Sequence, residues 1–359
     1  MSKQKLDPSD CELNNLKKDL VFLWGSDFRT HTTDEKIEIF RHKMGSALER
    51  LAPNFIKNIV NKDIIKRKHC FRKDGLSSND NSVFKTASEG RRFIVNGPDS
   101  QLVLLKNKGL SIEKLAFGDS GNIPVIGTIG HGEFKDISLG SDLFSAHVIL
   151  ITHDGHQFTD LSQRVDDLII FQDDKTCWLR NKTPMNLPGL SIVKSIGLGK
   201  EHAYLKLVYD LYAKDLRPAT LRLGIFTIYP HAFKKDEMYF QTHLGGKEPE
   251  KFFLSGFRVI QDQPVNHIVS CRHCLGNTEG ILRIGDQKSF IEIKTMPWEL
   301  YSVPLLHYEE IDDSFGRPSY FCRIYYSICE RDDVANVFWK GHMRISFKVR
   351  YKVMTKLNS

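Results

Sequence analysis

Met343-Arg-Ile-Ser-Phe-Lys-Val-Arg-Tyr-Lys-Val353 alternates apolar and polar residues without a break. A period of two places one set of side chains on a buried face and the other in water, which marks a half-buried β-strand. Working outward, runs of the same texture recur over 101–106, 143–152, 203–211, 221–229, 281–284, 290–294 and 321–328. Gly, Asp, Asn and Pro punctuate them. Many short strands with no helical pattern between them imply a large antiparallel β-sandwich over residues 93–359. Residues 233–260 leave room for a helical turn. No repeat of fixed period is visible, which argues against a propeller or solenoid.

Upstream the texture is different. Leu13, Leu16, Leu20 and Leu23 recur at helical spacing, and a second pattern places Ile37, Phe40, Met44, Leu48 and Leu51 on one face before Pro53. Thr32 and Glu35 have the spacing of a capping box for that second helix. A third helical pattern runs from Phe55 to Ile65. These readings give a small helical bundle over 10–70. The polar stretch 71–92, RKDGLSSNDNSVFKTASEGRR in its greater part, reads as a linker. The fold class expected is therefore mainly β with an N-terminal helical segment.

At 359 residues, with 41% hydrophobic and 26% charged, the chain has the composition of a globular protein of two or three units. It has no apolar run of about 18 residues that would span a bilayer. The N-terminal stretch lacks the apolar segment of a secretory signal. Seven cysteines, an odd number, fit a reducing compartment, and a cytoplasmic location is expected. The excess charge of +7 comes from 51 basic against 44 acidic residues. Much of it is local, in Lys57–Arg72 and in Lys340–Lys356. The basic residues form no recognisable nucleic-acid module, so nucleic acid is not an expected partner.

Five places carry candidate chemistry. Cys271-Arg-His-Cys274 has zinc-ligand spacing but no second ligand pair, and it reads better as two thiols near a strand end than as a metal or redox site. No metal and no cofactor is expected. Gly127-Thr-Ile-Gly-His131-Gly-Glu133 is a glycine-rich turn that either brings His131 and Glu133 to a ligand or simply joins two strands. His243 precedes a Gly-Gly pair and reads either as a ligand contact on a loop or as a surface histidine on a turn. Glu279 lies among turn formers, where an acid is usually solvated; acid catalysis on a glycoside needs a second carboxylate within about 5–10 Å. The densest group is Leu23-Trp24-Gly-Ser-Asp27-Phe28-Arg29-Thr-His31. There either Asp27, Arg29 and His31 bind sugar hydroxyls while Trp24 or Phe28 stacks on a sugar face, or Asp27 is a turn or cap residue with Arg29 as its salt-bridge partner.

LWGSDFRTHTTDEK (residues 23–36) resembles a segment near the end of the catalytic region in a bacterial subset of family-57-type glycoside hydrolases. GLSIEKLAF (109–117), PVIGTIGHGEFKDISLGSDLFSAH (124–147), LRLGIFTIYPHAF (221–233), THLGGKEPEKF (242–252) and GNTEGILRIGD (276–286) resemble blocks of the same proteins' β-rich region, in the same order. The resemblance implies a mutarotase-like β-sandwich after a helical segment, with the catalytic barrel missing. It implies a carbohydrate-binding or polysaccharide-processing role, incomplete as a hydrolase, with three explanations open: a truncated or split reading frame, a separate barrel-bearing subunit as a partner, or a remnant kept for carbohydrate binding. Asp27 matches the acid of the family's Ser-Asp-aromatic motif, with Phe28 where a tryptophan is common, and it would line a sugar site without being one of the catalytic pair. Trp24, Arg29, His31, His131, Glu133, His243 and Glu279 would be its neighbours. The alternative from another class is a non-catalytic interaction module built on the sandwich.

Overall fold

The computed structural model describes residues 42, 83–118, 124–130, 142–172, 175–200, 204–216, 219–243, 247–255, 277–296, 298–312, 316–329 and 339–354. The chain divides into two compact units, one of 1–76 with 131–141 and one of 77–130 with 142–359. Of the first unit only His42, a helical residue, is described. The expected bundle, and with it Trp24, Asp27, Arg29 and His31, lies outside the described residues. So do His131, Glu133 and Cys271–Cys274.

In chain order the second unit runs β1 (Lys85–Glu89), β2 (Arg92–Asn96), β3 (Ser100–Leu105), β4 (Ser111–Phe117), β5 (Pro124–Gly127), β6 (Ile149–Ile151) and β7 (Gln157–Thr159). It continues through β8 (Leu168–Gln172), β9 (Thr176–Asn181), β10 (Met185–Leu187), β11 (Leu190–Gly199), β12 (Tyr204–Leu216) and β13 (Thr220–Ile228). The last strands are β14 (Tyr239–Thr242), β15 (Glu250–Phe253), β16 (Ile281–Gly285), β17 (Ser289–Thr295), β18 (Val303–Asp312), β19 (Pro318–Cys329) and β20 (Trp339–Val353). Short 3-10 turns at Lys106–Lys108, Asp160–Ser162 and Lys235–Glu237 are the helical elements among the described residues of this unit.

Two antiparallel sheets result. The first has the order β1-β2-β3-β4-β5-β13-β19-β18, with β6 on β13 and β7 on β6. The second has the order β15-β14-β16-β17-β20-β12-β11-β9-β8, with β10 on β11. The chain fills the first sheet through β7, crosses to the second, and returns for β13 and again for β18–β19, so both sheets are built from interleaved segments of the chain. The fold is one sandwich with one core. Tyr209, Phe226, Tyr326 and Phe347 meet at its centre, with residues of both sheets interleaved.

One expectation changes here and another is met. Residues 85–89 lie within the stretch read as linker, yet Lys-Thr-Ala-Ser-Glu pairs with β2 in full register, Lys85 opposite Asn96 through Glu89 opposite Arg92. Hydrogen-bond pairing to a strong neighbour overrides the low strand propensity of that sequence. The helical turn expected within 233–260 is present as a 3-10 turn at Lys235–Glu237, and β14 and β15 account for the described strands there.

A buried charge pair ties the connections to the second sheet. Lys194 of β11 points into the core, and both it and Asp160 have 0% exposed side chains. Its Nζ donates to Asp160 Oδ2 at 2.7 Å, to the Ala146 carbonyl at 2.7 Å and to the Gly109 carbonyl at 2.5 Å. Asp160 Oδ1 accepts from the Val148 amide at 2.9 Å, and the Tyr209 hydroxyl donates to the Ala146 carbonyl at 3.0 Å. Gly109, Leu110 and Ala146 all have left-handed backbone, at φ 59°, 57° and 62°. Such a conformation costs a non-glycine residue about 1–2 kcal/mol, so two of these three positions are held by their bonds and not by preference.

His147, 4% exposed, lies next in the chain. Burial, and then the charges of Arg323 and Lys194, push it well below its ordinary value, so it stays neutral in the fold. The unfolded chain takes up a proton near pH 6.5 that the fold refuses. Stability from this group is therefore complete above about pH 6.5 and falls as pH drops below it, by up to about 1.4 kcal/mol per pH unit. Urea unfolding is expected to show stability falling between pH 7 and pH 5 in the wild type, and the His147→Leu variant should lack this group's share of the fall. Equal pH slopes in the two proteins would contradict it.

Candidate functional site

The outward residues of the second sheet form its most chemically distinctive surface. In β11 the sequence Gly197-Leu198-Gly199 leaves two gaps on that face, since Leu198 points into the core. A Cβ on Gly197 would lie 2.7 Å from Trp178 Cε3, and one on Gly199 would lie 2.2 Å from Tyr204 Cε1. Both rings therefore lie down across β11 in the space that side chains would otherwise fill. Phe171 of the edge strand β8 stacks on Trp178, with centroids 6.1 Å apart and planes at 14°. Thr176 Oγ1 and the Tyr204 hydroxyl hydrogen-bond at 2.8 Å and fix the second ring. Flat rings with polar groups at their rims are the form that stacks against the apolar faces of other rings.

Beside the rings stands a row of cations. In register, Lys206 of β12 faces Lys348 of β20, and Lys348 faces Lys294 of β17. Lys206 Nζ lies 5.8 Å from the Trp178 centroid, and Lys348 Nζ lies 4.7 Å from that of Tyr204. Burial, then the charges of Arg350, Lys206 and Lys294, push Lys348 below its ordinary value. The nearby carboxylate of Glu292 is occupied by Arg283 at 2.8 Å and Lys352 at 2.9 Å.

Further along β12 and β20 a second cluster continues the face. Asp210, 2% exposed, accepts from Arg344 Nε at 2.7 Å and bonds His342 Nε2 at 2.9 Å. Burial would raise the Asp210 carboxyl, but these bonds and charges outweigh it and hold it below the usual carboxylate range. Tyr212, 41% exposed, stacks on His342 at 4.8 Å. Glu299 acts on the Arg344 charge, and its neighbours Trp298 and Tyr301 are 79% and 61% exposed.

Of the site residues expected from sequence, His243 and Glu279 are the two described. They come together only through backbone, the Glu279 amide donating to the His243 carbonyl at 3.4 Å, and the Glu279 side chain is exposed. Among the described residues no cluster of His, Cys, Asp or Glu is arranged to hold a metal ion. The expected list contained none of Trp178, Tyr204, Lys206, Lys294 or Lys348. Two signals for them were present: the Gly-x-Gly inside an apolar run and the basic C-terminal stretch.

No family model matches the chain, and no curated protein matches it. Solved structures do align with it. A galactose mutarotase related enzyme from Lactobacillus acidophilus is 11% identical, with a TM-score of 0.41 over 74% of this chain and 98% of that one. A galactose mutarotase-like protein from Clostridium acetobutylicum is 9% identical, with a TM-score of 0.43 over 76% and 98%. A 4-alpha-glucanotransferase from Thermococcus litoralis is 9% identical, with a TM-score of 0.38 over 74% of this chain and 39% of that one.

Proposed function

We propose that the chain binds carbohydrate through the outer face of its second sheet. The observation that carries this reading is the pair of rings, Trp178 and Tyr204, laid flat over Gly197 and Gly199. The Asp210–His342–Arg344 cluster on the same sheet face supplies donors and acceptors of the kind sugar hydroxyls need. The kinship with family-57-type glycoside hydrolases, the mutarotase-like character of the sandwich and a barrel-bearing partner all belong to this proposal. A cytoplasmic setting fits Cys177 and Cys322, which are buried thiols outside any disulfide. No helix among the described residues is long and apolar enough to cross a membrane.

Isothermal titration against α-glucans and bacterial polysaccharides tests the reading. The wild type is expected to bind at least one of them, and Trp178→Ala to weaken that binding about tenfold, the loss of one stacked ring. Gly197→Ala, which keeps the tryptophan but lifts it, should weaken it in the same direction. Failure of the whole panel, with capture of a protein partner by the intact sandwich, would favour the interaction module instead.

A further inference from the structure

Contacts with the Trp178 and Tyr204 rings hold Lys206 and Lys348, but they do not neutralise the charge of the lysine row. Neighbouring strands lie about 4.8 Å apart, and like charges directly opposite one another on a sheet face destabilise it. Here three lysines from three strands stand in one rank, and none of them forms an ion pair among the described residues. Arg350, two residues beyond Lys348, adds a fourth cation whose Nε is buried with no hydrogen-bond acceptor. The acids on this face among the described residues are already engaged, Asp210 by Arg344 and His342, Glu292 by Arg283 and Lys352. A concentration of positive charge maintained at a cost to stability is complementary to an anion that is absent when the fold is considered alone.

The rank also has a direction. It runs across the strands from Lys294 through Lys348 and Lys206, and the register continues it over Gly197 to Trp178 and Phe171. Charges and flat rings thus share one line, and the occupant of that line must offer anionic groups and apolar ring faces along one extended molecule. Resting on the carbohydrate reading above, we infer that the sheet face binds an acidic polysaccharide, its sulfate or carboxylate groups on Lys206, Lys294 and Lys348 and a sugar ring on Trp178. A nucleic acid shares the charge and the stacking. The polysaccharide is preferred on the carbohydrate reading above, and nucleic acid is left as an outcome of the test below.

Titration of the full chain with heparin, polygalacturonate, a neutral dextran and single-stranded DNA decides the matter. Heparin or polygalacturonate is expected to bind at least tenfold more tightly than dextran at low salt, with affinity falling steeply as salt rises. In the triple variant K206Q/K294Q/K348Q the ratio of acidic to neutral binding should collapse toward one. Its melting temperature should equal or exceed that of the wild type, because opposed like charges have been removed. Should the triple variant fail to fold, Lys348→Gln alone, at the centre of the row, is expected to lower the ratio severalfold. An unchanged ratio in the variants overturns the inference, as does DNA binding equal to that of the acidic polysaccharides. Dextran binding without acidic preference overturns it while leaving the carbohydrate reading intact, and failure to bind any polysaccharide overturns both.

Discussion

Replacing Lys194 with methionine is expected to cost the fold about 3–5 kcal/mol, because it leaves the Asp160 carboxylate buried without its partner. The three acceptors around Nζ, two carbonyls and one carboxylate oxygen, suit the three hydrogens of an ammonium group, while burial pushes Asp160 up from its ordinary value and the nearby Lys194 charge opposes that push. Burial pushes Lys194 down from its ordinary value, and attraction to Asp160 opposes that push. The carbonyls belong to Gly109 and Ala146, and with Asp160 they lie 85, 48 and 34 residues from Lys194. One side chain therefore closes three connections at once. Urea unfolding of Lys194→Met, of Asp160→Leu and of the double variant would separate the parts. The double variant should be more stable than the sum of the single losses implies, since it removes both charges from the core. A cost below about 1 kcal/mol for Lys194→Met would show that water or a neighbouring group replaces the ammonium.

The same lysine explains part of what the sequence concealed. β20 was legible because Ile345, Phe347 and Val349 are fully buried while Arg344, Lys348 and Lys352 face outward, so composition and geometry agree at every position. β11 was not among the expected strands. Its inward set is Leu190, Ile192, Lys194, Ile196 and Leu198, and a charged residue in the middle of that set reads as a change of face. β1 was hidden for the opposite reason, since its residues are polar and its order comes from β2. The candidate site was harder still. Lys206, Lys294 and Lys348 lie far apart in the chain, and only strand order and register bring them into one rank. The residues singled out by local density, such as His243 and Glu279, share a backbone hydrogen bond and no described side-chain site. Local motifs report loops; a site spread over a sheet face becomes visible only when the strand pairing is known.

The second large effect is expected at Phe347, where the two sheets interlock. Its ring meets Tyr326 at 4.8 Å, Phe226 at 5.8 Å and Tyr209 at 6.1 Å, all edge-on. Tyr326 and Phe226 belong to the first sheet, Tyr209 and Phe347 to the second. Phe347→Ala should therefore cost about 3–5 kcal/mol by leaving a cavity that neither sheet can close alone. Gly224 gives the result a sharper form. It lies in β13 at φ +51°, where the pairing with β19 shifts register, and a Cβ there would come within 2.6 Å of Phe347 Cζ. The glycine thus serves two needs, a left-handed residue at the irregularity and space for the opposing ring. Gly224→Ala in the wild type carries both penalties. In the Phe347→Ala background the steric part disappears, and only the backbone part, about 1–2 kcal/mol, remains. A double-mutant cycle measured by urea unfolding is expected to show favourable coupling between the two substitutions. Strict additivity would mean that the ring does not rest on Gly224, and that the sheets are fixed against each other elsewhere in the core.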